Sequence, residues 1–346
     1  MNPADIPAEF FRFRSETAGT ADTAIPLENE KALVHLSFMQ DAWRRLRKNK
    51  AAVGCMVVLV VIIVTAFSAP LIAPYNPNEQ HIPQANLPPR IPGIHIKGLD
   101  GYAKNRGGTW IDRYAAAEVP AGTNFLFGTD EFGRDLLSRT LYGARISLTI
   151  AFIAALLDLS IGIAYGLLSA MKGGRTDNLM QRFLEILTGI PNLVLVVLML
   201  LIFQPGITSI IFALVISSWI PMARIVRAQT LRVKNLEYVQ AAQALGASPI
   251  RLALSHILPN ISGIVIVRTM FSIPAAIFFE TFLSFIGVGM KIPNASIGTL
   301  LGGGYKVFRI HPYQMWMPAI VLCIIMLAFN LFADGLRDAF DPKMKD

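Results

Sequence analysis

Three ionisable side chains fall inside long apolar runs of the sequence: Asp158, Arg268 and Glu280. Charge at such depth is expensive and persists where it faces a hydrated cavity or meets an opposite charge. Arg268 and Glu280 stand twelve residues apart, on either side of Pro274. Two chemistries are open to the set. Asp158 and Arg268 can form an interhelix ion pair that fixes packing, or the three can line a hydrated translocation path that meets the charged ends of a cargo or relays protons. Glu280, nearer the end of its run, also suits an interfacial position. Catalysis finds no support. No G-x-x-x-x-G-K-[ST] phosphate loop occurs, and Gly302-Gly303-Gly304 lacks that spacing and reads as a turn. His35, His81, His95, His256 and His311 are scattered without an H-E-x-x-H spacing, so no metal site is expected. There is no G-x-S-x-G elbow for hydrolysis. Cys55 and Cys323 lie in apolar runs and read as small core residues, which leaves neither a disulfide framework nor a C-x-x-C site.

Such charges need membrane helices to hold them, and the composition supplies these. Of 346 residues, 53% are hydrophobic and 16% charged, with a mean hydropathy of +0.50, too apolar for a soluble globular protein. The net charge of +8 is not gathered into a basic stripe with interleaved aromatics, so nucleic acid is not the expected partner. Membrane topology accounts for the cations better. WRRLRKNK places Arg44, Arg45, Arg47, Lys48 and Lys50 directly before the first apolar run, which by the positive-inside rule keeps the amino terminus in the cytoplasm. That run comes too late and is too long for a cleavable signal.

The expected organisation is an all-α polytopic membrane protein with six transmembrane helices. Residues 1–50 form a cytoplasmic tail, 51–73 the first span, and 74–145 a long, proline-rich external insert between spans one and two. Residues 146–335 form the core transmembrane domain, with runs near 146–168, 186–203, 207–225, 261–286 and 315–332, and 336–346 a cytoplasmic tail. Pro191, Pro221 and Pro274 interrupt spans three, four and five, which suits packed or moving helices. Gly162, Ala164 and Gly166 allow close helix contact in span two.

Between spans four and five, residues 235–260 read NLEYVQAAQALGASPIRLALSHILPN. Asn235 can cap a helix with Glu237 in its first turn, Gly246 suits the left-handed residue that ends it, and Ser248-Pro249 starts a second short helix that stops before Pro259. The result is an elbow with little bulk at its bend. Leu236, Leu245, Ile250 and Leu254 offer apolar anchors to a partner. Before span two, GTDEFGRDLLSR has turn glycines at Gly128 and Gly133 and paired charges at Asp130, Glu131, Arg134, Asp135 and Arg139.

These stretches resemble those of ATP-binding-cassette importer permeases of the peptide and nickel branch. The elbow is similar to their EAA loop, with Ala241, Ala242, Gly246, Leu258 and Pro259 in place; it departs at Gln240, where the pattern has Glu, and at His256, where it has Ile. GTDEFGRDLLSR resembles the GTD-x-x-GRD-x-x-SR signature of that branch, and Ile190-Pro191, FFETFLSFIGVG and the ending FN-x-x-x-DGLRDA-x-DP match it too. The likeness runs from Ala51 to the end, and is nearest to the C-type subunit of oligopeptide importers. It implies the importer-permease (MetI-like) arrangement of spans, and a chain that is not itself an enzyme but forms half of a translocation pathway in the cell membrane. The implied partners are a second homologous permease, two cytoplasmic ATPase subunits carrying ATP and Mg, an extracytoplasmic substrate-binding protein and a peptide. This chain would bind no cofactor of its own. Gln240, Ala241, Ala242, Gly246, Ala247, Ser248, Leu258 and Pro259 would then couple to an ATPase, while Gly128, Asp130, Arg134 and Asp135 would meet the binding protein. A dipeptide or nickel permease, and a proton-coupled secondary carrier using Asp158, Arg268 and Glu280, are the alternatives.

Overall fold

The computed structural model describes residues 38–104, 107–203, 206–290 and 294–341, so expectations for the amino-terminal tail up to residue 37, the Gln204-Pro205 turn, Lys291 and residues 342–346 lie outside it. The architecture that follows is that of the unit beginning at Ala42.

α1 (Phe38–Lys48) carries the basic flank, and α2 (Lys50–Phe67) follows, its first turn closed by the Asn49 side chain, which accepts from Ala52 N at 3.1 Å. α2 is apolar all round and leaves Val57, Val60, Val61 and Val64 exposed, as a lipid-facing helix does. The first run is not one helix: it breaks at Ser68, and Pro70 opens the short α3 (Ala69–Ile72).

The described residues of 74–135 are largely irregular. Two short strands, β1 (Tyr102–Lys104) and β2 (Trp110–Asp112), pair antiparallel with Ala103 opposite Ile111. α4 (Arg113–Ala116) is capped by the Asp112 carboxylate. Leu87, Tyr114 and Phe125 make a small core, and the buried Tyr114 hydroxyl donates to Pro88 O at 3.0 Å. Among the described residues this ladder is the one two-stranded sheet, beside isolated bridges at Arg90–Asp100 and Thr129–Asp135.

α5 (Leu136–Lys172) starts ten residues before the apolar run, because Asp135 caps it, accepting from Ser138 N at 2.7 Å. The last ten residues of the stretch expected as external insert are therefore already helical. α6 (Gly174–Gly189) and α7 (Asn192–Ile202) meet at Ile190-Pro191 with a 79° bend, so the third span is a broken pair rather than one helix. α8 (Ile207–Ser217) and α9 (Ile220–Lys234) form the fourth, with Pro221 in the first turn of α9. α10 (Glu237–Ala244) and α11 (Pro249–Arg251) form the elbow; a π-helical segment, Leu252–Ile257, joins α11 to α12 (Leu258–Phe285). α13 (Ile297–Lys306) and α14 (Tyr313–Phe340) complete the chain. Among the described residues five helical stretches are long and apolar enough to cross a membrane, or six if the bent pair is one span.

α5 is the axis of the bundle, packed along α9 and α12, while α14 packs on α2, α12 and α13. Leu148, Ile150, Ala151, Ile210, Ile277 and Phe329 lie in the main core. Lipid is as apolar as these side chains, so close packing rather than burial must hold the helices together. Glycine provides it. A Cβ at Gly162 would stand 2.5 Å from Met222 Cγ, and one at Gly166 2.6 Å from Ala223 O; Ala164 instead points outward. The same demand explains why Gly302-Gly303-Gly304 is helical in α13 rather than a turn: a Cβ at Gly304 would lie 2.6 Å from Gln314 O. Cys323 is exposed on α14, not a core residue.

Candidate functional site

The elbow is built on a few local rules. α10 ends in a Schellman arrangement: Gly246, at φ +86°, donates to Gln243 O at 3.0 Å and Ala247 N to Ala242 O at 3.1 Å. Ser248 caps the next helix, its hydroxyl accepting from Arg251 N at 3.3 Å, with Pro249 following. The start differs from expectation. Asn235 closes α9 rather than capping α10, whose N-cap position is Leu236 with no side-chain bond. Nor does Pro259 begin a new element: it lies in the first turn of α12, and the helix from Pro249 runs on to Phe285.

The inner face of the elbow is anchored. Val239, Leu252 and Ile257 are buried with Leu167, Met222 and Val233 from α5 and α9, and Ala242, Ala247 and Leu258 pack against them. Its outer face is open. Leu245 is 89% exposed, Ile250 73%, Leu254 56% and Leu236 42%, an apolar rim around a bend where a Cβ on Gly246 would meet nothing within 4 Å. Gln240, Ala241, Ser248 and Pro259 are exposed beside it.

The three intramembrane charges do not converge. Asp158 is buried and accepts from the hydroxyl of Ser218, the C-cap of α8. Arg268 attracts it from α12 without coming within ion-pair distance, so the expected Asp158–Arg268 bridge is not formed. The Arg268 Nε is buried without a hydrogen-bond partner, and the residue lines a cavity of about 480 Å³ between α12 and α14 with Phe271, Arg337 and Asp341. Glu280 is 0% exposed within the protein, and its two oxygens accept from Ser147 of α5 at 2.7 Å and Ser284 at 2.8 Å. Ser147 and Asp158 are eleven residues apart on α5, about 16 Å along the axis. A relay passing directly among the three has no continuous path.

The GTDEFGRDLLSR stretch is a buried joint. Asp130 accepts from Phe132 N at 2.9 Å, Arg134 N at 3.0 Å and Arg134 Nε at 2.7 Å; Arg139 Nη1 donates to Pro77 O at 2.8 Å. Burial raises the Asp135 carboxyl above its ordinary 3.8, against the hydrogen bonds it accepts from Ser138. Gly128, Asp130, Arg134 and Asp135 are all buried; Glu131 is the exposed member of the stretch. Tyr313 and Gln314 of α14 bind Thr129 O from the other side, both at 3.2 Å.

One constellation escapes the sequence reading. Asp177, in the first turn of α6, receives Arg227 Nε at 2.6 Å and Nη2 at 2.5 Å, and also the Ser169 hydroxyl. This fork ties α6 and the end of α5 to α9, which leads into the elbow. Fifty residues separate the two partners, and only the opposite charges flanking apolar runs hint at them.

Known proteins share this plan. The family described as binding-protein-dependent transport system inner membrane component matches residues 162–346, and the N-terminal TM domain of oligopeptide transport permease C matches 37–89. The dipeptide transport system permease protein DppC of Lactococcus lactis subsp. cremoris is 42% identical over 318 residues, covering 90% of this chain and 92% of that one. The oligopeptide transport system permease protein OppC of Bacillus subtilis is 38% identical over 341 residues, 99% of each. Among solved structures, an inward-facing MetNI methionine ABC transporter chain aligns with a TM-score of 0.50 at 18% identity, over 60% of this chain and 98% of its own, a likeness of fold alone. With one model spanning the elbow and the later spans, and relatives this similar along nearly the whole length, the chain belongs to the family of binding-protein-dependent transport system inner membrane components.

Proposed function

We propose that this chain is one of two permease subunits of an ATP-driven importer of peptides, and that the elbow is where a partner ATPase drives it. The observation that carries the reading is the elbow's two-sidedness: buried anchors fix it to α5 and α9, while Leu245, Ile250 and Leu254 stand exposed around a bare glycine bend. Exposed apolar side chains grouped around a helix bend suit a protein cleft. Gln240 replaces the acidic residue of the EAA pattern, so docking here rests on shape and apolar contact. The second permease completes the passage, two ATPases supply the energy, and an extracytoplasmic binding protein delivers cargo.

The basic flank of α2 sets the orientation, with both termini and the elbow cytoplasmic. Arg45 Nη1 donates to Asp341 O at 3.2 Å, so the flank and the end of α14 share one face. Relatives named for dipeptides and for oligopeptides are similarly close, so peptide is the cargo class, with oligopeptides suggested by the long insert.

Purification of the tagged chain from its native membrane, with ATPase activity and peptide uptake measured, tests this. Wild type should carry ATPases with it. Leu245→Asp, a change at an exposed side chain, should weaken that association at least about tenfold, the scale of one buried charge; Gly246→Trp should leave hydrolysis uncoupled from uptake. Absence of ATPase from wild type in mild detergent, with normal uptake by both variants, would overturn the reading in favour of a secondary carrier.

A further inference from the structure

A second cavity lies at the other end of the bundle from the elbow, between the GTDEFGRDLLSR joint and the α12–α13 connection. Its volume is about 480 Å³, within the range of sites that hold small organic ligands, roughly 300–1,000 Å³. Arg134 and Arg139 line one wall. Both are buried, at 4% and 3% exposure, and between them they have one carboxylate, that of Asp130. Asp130 already accepts from two backbone amides and Arg134 Nε. Arg139 Nε stands 3.5 Å from it without a hydrogen bond, and Arg134 Nη1 has no partner at all. A guanidinium cannot lose its proton to escape this, so two buried donors of cavity-lining arginines are left without a hydrogen bond, with the carboxylates of Asp130 and Glu131 in the same lining.

Phe285, Met290 and Leu300 add apolar lining, Ser284, Thr299 and Gln314 polar lining, and the exposed Lys306 and Glu131 stand among them. Arginines beside apolar side chains suit a carboxylate that carries a side chain with it. A bare inorganic anion would leave most of the space unfilled.

We propose that this cavity is a carboxylate subsite that takes the C-terminal residue of an arriving peptide, its carboxylate on Arg134 and Arg139 and its side chain against Phe285 and Met290. The inference rests on the importer reading above and deepens it. It gives the buried arginines of the joint a ligand, and makes the mouth of the passage selective for a free carboxyl end with an apolar last residue. The competing occupant is an acidic side chain of the binding protein, which the same arginines would accept.

The test uses the whole importer in proteoliposomes with its binding protein. The probes are a tetrapeptide of three alanines and a C-terminal phenylalanine, and the same peptide with its carboxyl end amidated. The binding protein filters both probes first, so the readout is how the acid-to-amide uptake ratio changes between wild type and variant. Arg134→Lys keeps one charge and the Asp130 bond within reach but loses the fork. It should cut the ratio about tenfold, the scale of one charge-assisted pair, whatever it does to the uptake of both probes together. Lys306→Met, at an exposed position, should cut it about threefold without touching the joint, and decides the matter if the arginine variant fails to assemble. An unchanged ratio in Lys306→Met together with equal loss of both probes in Arg134→Lys would overturn the proposal and assign the arginines to the binding protein. Wild-type complexes that hydrolyse ATP but import neither probe would instead overturn the importer reading itself.

Discussion

Gly133 shows how much a single Cβ can matter in this chain. It sits at φ +73°, and an added Cβ would lie 1.9 Å from His81 O, which belongs to the turn opposite. Gly122 has a similar backbone, at φ +91°, but open space around it. The pair separates strain from collision. Gly122→Ala should cost about 1 kcal/mol, the ordinary penalty of a left-handed alanine. Gly133→Ala adds a clash with rigid backbone and should cost at least about 3 kcal/mol, enough to open the joint. Protease susceptibility of residues 74–135 in the purified protein measures both; equal sensitivity would mean that the joint yields. The turn glycine was legible from its place in GTDEFGRD, and so was Gly246 from its place after an alanine-rich helix. Their collision partners were not, because His81 lies 52 residues upstream of Gly133. The same holds for Glu280, whose hydroxyl partner Ser147 is 133 positions away.

Elements follow a different logic, since hydropathy marks where lipid would be and caps mark where helices end. That is why α5 begins at its Asp135 cap, ten residues ahead of its apolar run, and why the π segment carries the elbow into α12 unbroken. The bend between α6 and α7 has a local cause. Pro191 denies its predecessor the helical region, and Ile190 accordingly sits at φ −92°, ψ 123°. Pro191→Ala removes that restriction, and two apolar helices joined by two residues should then straighten into one. Spin labels at the exposed positions Leu179 and Val197, in a background with Cys55 and Cys323 replaced by alanine, report the change. Along a straight helix the backbones at these positions stand about 27 Å apart, and across the 79° bend about 21 Å. A distribution moving to the longer distance supports proline as the cause. One that stays short places the cause in packing, against Tyr165 and Trp219, which contact each other at 4.9 Å beside α6.

At the scale of the molecule, the elbow matters because of what it is joined to. From Pro249 to Phe285 the chain is helical for 37 residues, about 55 Å. A displacement at the elbow therefore reaches Glu280 and, through Phe285 and Ile286, the carboxylate cavity at the far end, provided the junction at Leu252–Ile257 stays rigid. The apolar runs and the elbow at Gly246-Ala247-Ser248-Pro249 were readable; this continuity was not, because Pro259 reads as a break, yet the π-helical turn before it carries the helix through. The junction can be softened without removing a packed side chain of the core: Ser255 is exposed and His256 half-buried. Replacing both by glycine costs about 1 kcal/mol each in helix stability, enough to shift the junction toward an open form by an order of magnitude or more. In the reconstituted importer, Ser255→Gly with His256→Gly should keep its ATPases and hydrolyse ATP, while the peptide imported per ATP falls roughly tenfold. The alanine pair at the same positions keeps the helix and should stay near wild type. If both pairs import alike, α12 is not the lever, and the movement must travel instead through α9 and its Asp177–Arg227 fork to α6.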